Sequence, residues 1–267
     1  MAPEVNEAVE IAHARGILSA ASLMMGGAAV DDAIARARRM PSLRVGLHVV
    51  VVDGRPLLAP SRIPHLVDEH GLLRRDLAGV GRAIFLRNAA RRELALEITA
   101  QFDAYRATGL ALDHVNAHHH FHVHPTVTSQ LLAIGPAYGM RAVRVPEESR
   151  AILEQVDPAS RRRFSTPAAP WARLLRRRLR RHGLAAPAQM FGLAWSGAMN
   201  EPRLAGLLDA LPDGVTEIYS HPAVTQAFAG AAPSCDYVGD LAALVAPAVV
   251  ERVRAMNLRT GGYADVL

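Results

Sequence analysis

The sequence predicts a single α/β domain in which parallel strands alternate with helices, as in a (β/α) barrel. The chain has 267 residues, half of them hydrophobic. That is enough for a full core and close to the ~200–250 residues that α/β barrels commonly fill as one domain. The segment 43–53, LRVGLHVVVVD, is almost continuously apolar, as expected for a strand buried on both faces of a parallel sheet. Because no linker interrupts the alternation, residues 1–267 are predicted to form one domain.

The predicted elements begin with a helix, for which Pro3 and Glu4 are favourable first-turn residues and Gly16 a plausible end. The first half continues with a strand at 17–24, a helix from Asp31 or Asp32 to Pro41, the strand 43–53, a loop at 54–85 expected over the mouth of the site, a helix at 91–108 and a strand at 112–118. The second half has a helix at 125–138, a strand at 141–146, arginine-rich helices within 147–188, a strand at 190–193, a helix at 201–211, a strand at 215–221 and a helix at 240–256. Because each helix of a βα barrel follows a strand, a chain that opens on a helix predicts that the first strand is missing.

Composition excludes several classes of chemistry. One cysteine, Cys235, allows neither an internal disulfide nor a cysteine-based zinc cluster. All 30 basic residues are arginine, which excludes a lysine Schiff base and a lysine nucleophile. No apolar run reaches the ~18 residues of a transmembrane helix, and acidic residues stand where a signal peptide would be basic. We therefore expect a cytoplasmic protein, and contact with the inner membrane face stays open.

The segment 113–125, DHVNAHHHFHVHP, concentrates six histidines at the end of a predicted strand. If the strand continued, five of them would share one face and His119 the other. Neutral imidazole is a ligand for zinc, iron, nickel and manganese, so a metal site that uses one or two of these rings is predicted. The alternative is a histidine-rich loop with incidental metal affinity. His48, in another apolar strand, and His221 are also predicted at strand ends, where βα barrels collect functional side chains; a buried structural role is the alternative for each.

Several blocks of the sequence resemble the YdjC-like carbohydrate deacetylases. They are residues 16–56, DHVNAHHHFHVHP, RVPEE and TEIYSHPA, and the asparagine of DHVNAH is most similar to the hopanoid-associated HpnK branch. The resemblance implies a polysaccharide-deacetylase-like (β/α) barrel that removes acetyl from an N-acetylated sugar, possibly carried on a hopanoid lipid. It implies a divalent ion, magnesium or zinc, held by one aspartate and two histidines. Carried over by position, the histidines are His48 and His118, whose nitrogens we expect within ~4–5 Å of each other.

The family's metal-binding and catalytic aspartates occupy an Asp-Asp-Phe-Gly block that would precede Ala2. Asp31, Asp32, Asp53 and Asp113 do not match that position. We therefore expect weak or no deacetylation by this chain, and recovery on adding a strand that ends in two aspartates. The alternative is a non-catalytic barrel that binds sugar or metal.

The resemblance also suggests roles for further residues. His221 is the candidate acid, or stabiliser of the tetrahedral intermediate. Arg144 and Glu148 are candidates for sugar contacts, with a plain surface ion pair as the alternative. The candidates that support the ligands or face the substrate are Asn116, His120 and His122.

Residues 171–184, WARLLRRRLRRHGL, have apolar residues at helical spacing with arginines between them. This pattern predicts an amphipathic helix, either solvated over the barrel or lying on anionic lipid headgroups. We expect no nucleic-acid partner, because aromatic residues make up only 5% of the chain. A homodimer stays open.

Overall fold

The computed structural model describes residues 2–159 and 169–267, so residues 160–168 of the predicted arginine-rich region lie outside it. The helices are α1 (Pro3–Arg15), α2 (Val30–Arg39), α3 (Leu77–Leu86), α4 (Asn88–Ala107), α5 (Pro125–Ile134), α6 (Arg150–Val156), α7 (Ala169–Arg181), α8 (Glu201–Asp209), α9 (Tyr237–Val245), α10 (Pro247–Ala255) and α11 (Tyr263–Val266). The strands are β1 (Ala20–Leu23), β2 (Arg44–Val49), β3 (Val115–Ala117), β4 (Gln189–Phe191) and β5 (Thr216–Ile218).

All strand pairings among the named strands are parallel, as predicted. In the first sheet, β2 lies between β1 and β3, with Leu47 opposite both Leu23 and Val115. In the second sheet, β4 pairs with β5. The buried residues of β2 include Val45, Leu47 and Val49, so the apolar run at 43–53 forms the centre of the first sheet.

The prediction of a (β/α) barrel holds only at the level of an α/β fold with parallel sheets. Segment 141–147 links the two sheets through isolated contacts, including bonds from the Val115 amide to the Ala142 carbonyl and from the Met190 amide to the Glu147 carbonyl. It does not form the predicted strand, and a closed ring is not shown by the described residues. Pro146 and Pro187 lie in the linking segments and lack the N–H that a continuous ladder needs.

The predicted loop at 54–85 contains a helix at its end, because α3 covers Leu77–Leu86. The Asp76 side chain begins this helix by accepting from the Gly79 amide at 2.8 Å. Before α3, the segment packs on α4, where the buried Glu97 carboxylate accepts from the amides of Leu57 and Leu58 at 2.9 and 3.0 Å. The segment therefore leaves the carboxyl end of β2 and is anchored against α4.

The amino ends of the central strands are closed by α11. The Asp113 carboxylate accepts from the amides of Tyr263 and Ala264 at 3.0 and 2.9 Å. The Arg44 guanidinium pairs with the Asp265 carboxylate at 2.6 Å. These contacts fix the end of the sheet that lies opposite the histidines described next.

Candidate functional site

The histidine-rich segment turns sharply where β3 ends. His118–Val123 form a 3-10 turn in which His119 and His120 both have φ of 52°, a left-handed conformation that few residues other than glycine adopt. The expected alternation of histidines along a continued strand is therefore wrong beyond Ala117. The turn sends successive imidazoles in different directions.

The two histidines predicted as metal ligands lie side by side. His48 is in β2, and His118 directly follows β3, which pairs with β2. Their ring centroids are 5.7 Å apart, with the ring planes at 69°. Burial lowers the pKa of His118 to about 4 and the pKa of His48 well below its usual value. Both rings are therefore neutral at pH 7, which is the form that binds a metal.

Asp53 supplies a carboxylate beside His118 and beside the next histidine along the chain, His119. One ligand atom from each of Asp53, His118 and His119 lies within 4.8 Å of the others. The Asp53 carboxylate lies 3.1 Å from the His119 Nε2 and forms an ion pair with the Arg75 guanidinium at 2.9 Å. Burial raises the pKa of Asp53, but the bond to His119 and the charge of Arg75 outweigh it and lower the pKa overall.

Asp53 does not match the position of the family's aspartates, yet its carboxylate lies beside the predicted ligand His118. Matching the family's motif by position did not identify Asp53, because Asp53 follows β2 whereas the family's aspartates follow the first strand. The signal in the sequence is its place at the end of the run VVVVD, five residues after His48. Imidazole and carboxylate donors together suit a divalent ion, so the donor set fits the implied metal.

Asn116 adjoins the candidate ligands from β3. Its side-chain oxygen lies 2.6 Å from the Nδ1 of His48, and its residue is fully buried. A partner of this kind at the second ring nitrogen fixes the orientation of a ligand histidine.

Behind these rings lie His120 and His122. The His120 Nε2 is 3.2 Å from the Tyr219 hydroxyl, and the His122 Nε2 donates to the Arg144 carbonyl at 2.9 Å. The Nδ1 atom of each ring is buried and has no hydrogen-bond partner in the described part of the chain. Each side chain therefore has an unused ring nitrogen, and His120 is close enough to His48 for a charge there to lower its pKa.

Arg144 forms a buried ion pair. Its guanidinium donates to the Glu217 carboxylate at 2.9 and 2.5 Å and lies 4.8 Å from the centre of the Tyr219 ring. The Tyr263 hydroxyl donates to the other oxygen of Glu217. Arg144 therefore forms an ion pair, as in the alternative interpretation of the sequence, but the pair is buried and its partner is Glu217. A sugar contact by Arg144 stays a prediction.

Glu148, the other residue predicted to contact sugar, is held by backbone. Its carboxylate accepts from the amides of Gly192, Leu193 and Ala194 at 2.9 to 3.0 Å. Burial outweighs these bonds and raises the pKa of Glu148 to about 7. The side chain therefore organises the segment after β4, and its contact with a sugar stays a prediction.

His221 follows β5 and adjoins the candidate metal ligands. Its backbone amide donates to the Asp240 carboxylate at 2.7 Å, and its ring packs edge-on against Tyr219 with centroids 5.4 Å apart. Burial lowers the pKa of His221 to about 4, and a charge on His221 would lower the pKa of His48 and of His118. Tyr219, which sequence reasoning did not single out, contacts both His120 and His221.

Comparisons with known proteins identify a family whose members this chain resembles in sequence. The family described as YdjC-like protein matches residues 1–255. A carbohydrate deacetylase of Geobacillus stearothermophilus is 28% identical over 98% of this chain and 91% of its own length. A carbohydrate deacetylase of Brevibacillus brevis is 33% identical, over 53% of this chain and 54% of its own length. That alignment spans about half of each protein.

A solved structure shares the fold. A protein of Enterococcus faecalis V583, described as a cellobiose-phosphate cleavage protein, superposes with a TM-score of 0.74 at 20% identity. The match covers 99% of this chain and 94% of that one. Separately, no helix among residues 2–159 and 169–267 is long and apolar enough to cross a membrane.

Proposed function

Because the chain belongs to the family of YdjC-like proteins, we propose that it is a metal-dependent deacetylase that hydrolyses the acetyl amide of an N-acetylated sugar. The observation that carries the proposal is the placement of His48 beside His118, with the Asp53 carboxylate at the same end of the sheet. The names of the Geobacillus and Brevibacillus relatives support the carbohydrate substrate.

In this proposal Asp53, His118 and His119, whose ligand atoms lie within 4.8 Å of one another, hold the divalent ion, and His48 beside His118 is the further donor. Two imidazoles and a carboxylate favour zinc over magnesium, which prefers oxygen ligands. When bound, the ion polarises the acetyl carbonyl and makes water more acidic. The Asp53 carboxylate also offsets part of the ion's charge, which neutral imidazoles cannot do.

His221 moves the proton. With a pKa of about 4, its ring is neutral at pH 7 and accepts the proton that the attacking water loses as its oxygen bonds to the acetyl carbon. The same ring then donates that proton to the sugar nitrogen as the carbon–nitrogen bond breaks. Acetate and a free amine leave. Tyr219, packed against His221, holds the ring in place.

The experiment compares Asp53→Asn with the unchanged chain. Asp53 has φ of 47°, and asparagine tolerates this conformation, so the substitution removes the charge without backbone strain. We expect at least a ~10-fold loss of zinc affinity, the lower range for weakened support of a metal site, and a parallel loss of acetate release from an N-acetylchito-oligosaccharide. The measurements are zinc titration and acetate release with and without a chelator.

Asp68→Asn is the matched control, since Asp68 lies exposed in the same segment and its oxygen accepts from the amides of His70 and Leu72. This variant should keep both properties. Unchanged zinc affinity in Asp53→Asn would remove Asp53 from the ligand set. Sugar or zinc binding without any acetate release would instead establish the non-catalytic alternative.

For the finer identity of the substrate, we propose an N-acetylglucosaminyl glycolipid of the hopanoid type, reached through helix α7. Trp171 and Leu174 are 48% and 38% exposed on this helix, while Leu175 and Leu179 pack inward. The exposed arginines of the helix are Arg173, Arg177, Arg180 and Arg181. Exposed apolar side chains among arginines suit the surface of an anionic bilayer.

Binding to vesicles tests this surface. We expect the protein to bind phosphatidylglycerol-containing vesicles, and Arg177→Gln with Arg181→Gln to weaken binding about 30-fold, from ~1 kcal/mol per arginine at an anionic membrane. The control pair is Arg92→Gln with Arg254→Gln, exposed residues on α4 and α10. Equal losses in both pairs, or no binding at all, would leave α7 as a solvated helix.

A further inference from the structure

A chain of side-chain hydrogen bonds runs from the amino end of β3 to the candidate ligand His48. The His114 Nδ1 lies 2.8 Å from the Asp113 carboxylate, and the His114 Nε2 lies 2.9 Å from the Ser22 hydroxyl. The Asn116 amide nitrogen donates to the Ser22 oxygen at 2.8 Å. The Asn116 oxygen then lies 2.6 Å from the His48 Nδ1. We call these five side chains the relay.

The direction of donation in the relay is set at Asp113. Its carboxylate already accepts from the backbone amides of Tyr263 and Ala264, and these bonds together with that to His114 lower its pKa against the opposing effect of burial. An ionised carboxylate only accepts, so the His114 Nδ1 carries a proton and donates it. In a neutral His114 ring, the Nε2 is then an acceptor.

Each following group has one consistent role. The Ser22 hydroxyl donates to the His114 Nε2, and its oxygen accepts from the Asn116 amide nitrogen. The Asn116 oxygen is thereby left facing His48, so the His48 Nδ1 must donate to it. The opposite orientation of Asn116 would make Ser22 donate to Asn116, and His114 would need protons on both nitrogens.

We propose that Ser22 and His114, anchored by Asp113, are positioning residues that hold His48 in the tautomer with a protonated Nδ1 and an Nε2 free to bind the metal. The identity of His48 as a ligand rests on the proposed function. The tautomer itself is a property of the protein without metal. Ser22, His114 and Asp113 are all distant in sequence from His48, so the arrangement arises only when β1, β2 and β3 pair.

The test is nitrogen NMR of the full metal-free chain labelled with nitrogen-15, in which protonated and unprotonated ring nitrogens give separate signals. Comparison with His48→Gln assigns the His48 ring. In the unchanged chain we expect a proton on the His48 Nδ1 and none on the Nε2. Ser22→Ala removes the link between Asn116 and His114, so a share of His48 should move its proton to the Nε2.

Zinc titration of the same samples gives the second readout. Ser22→Ala is expected to weaken zinc binding about 10–100-fold, the usual cost of losing a group that orients a ligand. Ser22→Thr restores the hydroxyl and should recover both the tautomer and the affinity. Ser19→Ala is the matched control at the edge of β1, where the Ser19 hydroxyl donates to the Gly261 carbonyl outside the relay. It should change neither readout.

A protonated Nε2 on His48 in the unchanged chain would overturn the inference without any variant. So would a Ser22→Ala protein with unchanged tautomer and zinc affinity. If the tautomers behave as expected while zinc binds to none of the proteins, the relay stands and the proposed metal function fails. The two hypotheses are thereby separated.

Discussion

Replacing His118 by alanine is expected to lower acetate release by at least ~10²–10³-fold and to remove most of the bound metal. A bound ion contributes several kcal/mol of transition-state stabilisation, and each 1.36 kcal/mol is worth a factor of ten in rate. His118 is the candidate ligand that lies close both to His48 and to Asp53, so its loss removes a donor that both neighbours share. Metal content and acetate release are measured on the same purified sample.

His70→Ala is the matched control for this substitution. His70 is an exposed histidine in the segment between β2 and α3, with 76% of its side chain accessible. The His70→Ala protein should keep its metal content and its rate of acetate release. A His118→Ala protein that keeps its metal and more than a tenth of its activity would move the metal away from His118.

The parts of the site that sequence predicted are those fixed by strand ends. The apolar run around His48 identified β2, and parallel pairing with β3 brought His118 to the same end. The family resemblance was confirmed over residues 1–255, whereas the hopanoid-associated branch stays a prediction. Predictions of this kind depend on local pattern and on the geometry of parallel sheets, both of which are readable from one sequence.

The turn after β3 was not predictable from those patterns. Two successive histidines adopt a left-handed conformation without the glycine or asparagine that normally signals it. A run of alternating histidines therefore indicated a continued strand. The tertiary contacts of His119 with Asp53 and of His120 with Tyr219 accompany the turn, and neither contact is visible in local sequence.

Other differences have local causes. Helix α3 was hidden within the predicted loop because Gly79 and Gly81 weaken its helical pattern, although Asp76 is a suitable cap. The last predicted helix is two helices, α9 and α10, since Pro247 begins the second and a proline cannot continue a helix. The pairing of Arg144 with Glu217 joins residues 73 positions apart. Helix and strand periodicity in the sequence gives no information about contacts between such distant residues.

That buried pair gives the largest expected effect on stability. Glu217→Gln should lower the free energy of unfolding by about 3–5 kcal/mol, because it leaves the Arg144 charge uncompensated in the interior. The two side chains are only 10% and 14% exposed. Burial raises the pKa of Glu217, but Arg144 more than offsets this and the pKa lies below its usual value. Urea unfolding at pH 7 measures the difference.

The exposed pair of Arg252 and Asp209 provides the contrast. It has a similar separation of 2.5 Å, with side chains 39% and 51% exposed, and Asp209→Asn should lower the free energy of unfolding by no more than ~1 kcal/mol.

Because folding lowers the pKa of Glu217, the contribution of this carboxylate to stability is present above its unfolded pKa of ~4.3 and is lost as the pH falls through its folded pKa. Acidification below pH 4 should therefore narrow the gap between the unchanged chain and Glu217→Gln. A Glu217→Gln protein as stable at pH 7 as Asp209→Asn would show that the Arg144 charge is solvated or paired elsewhere, and the account of this ion pair would be wrong.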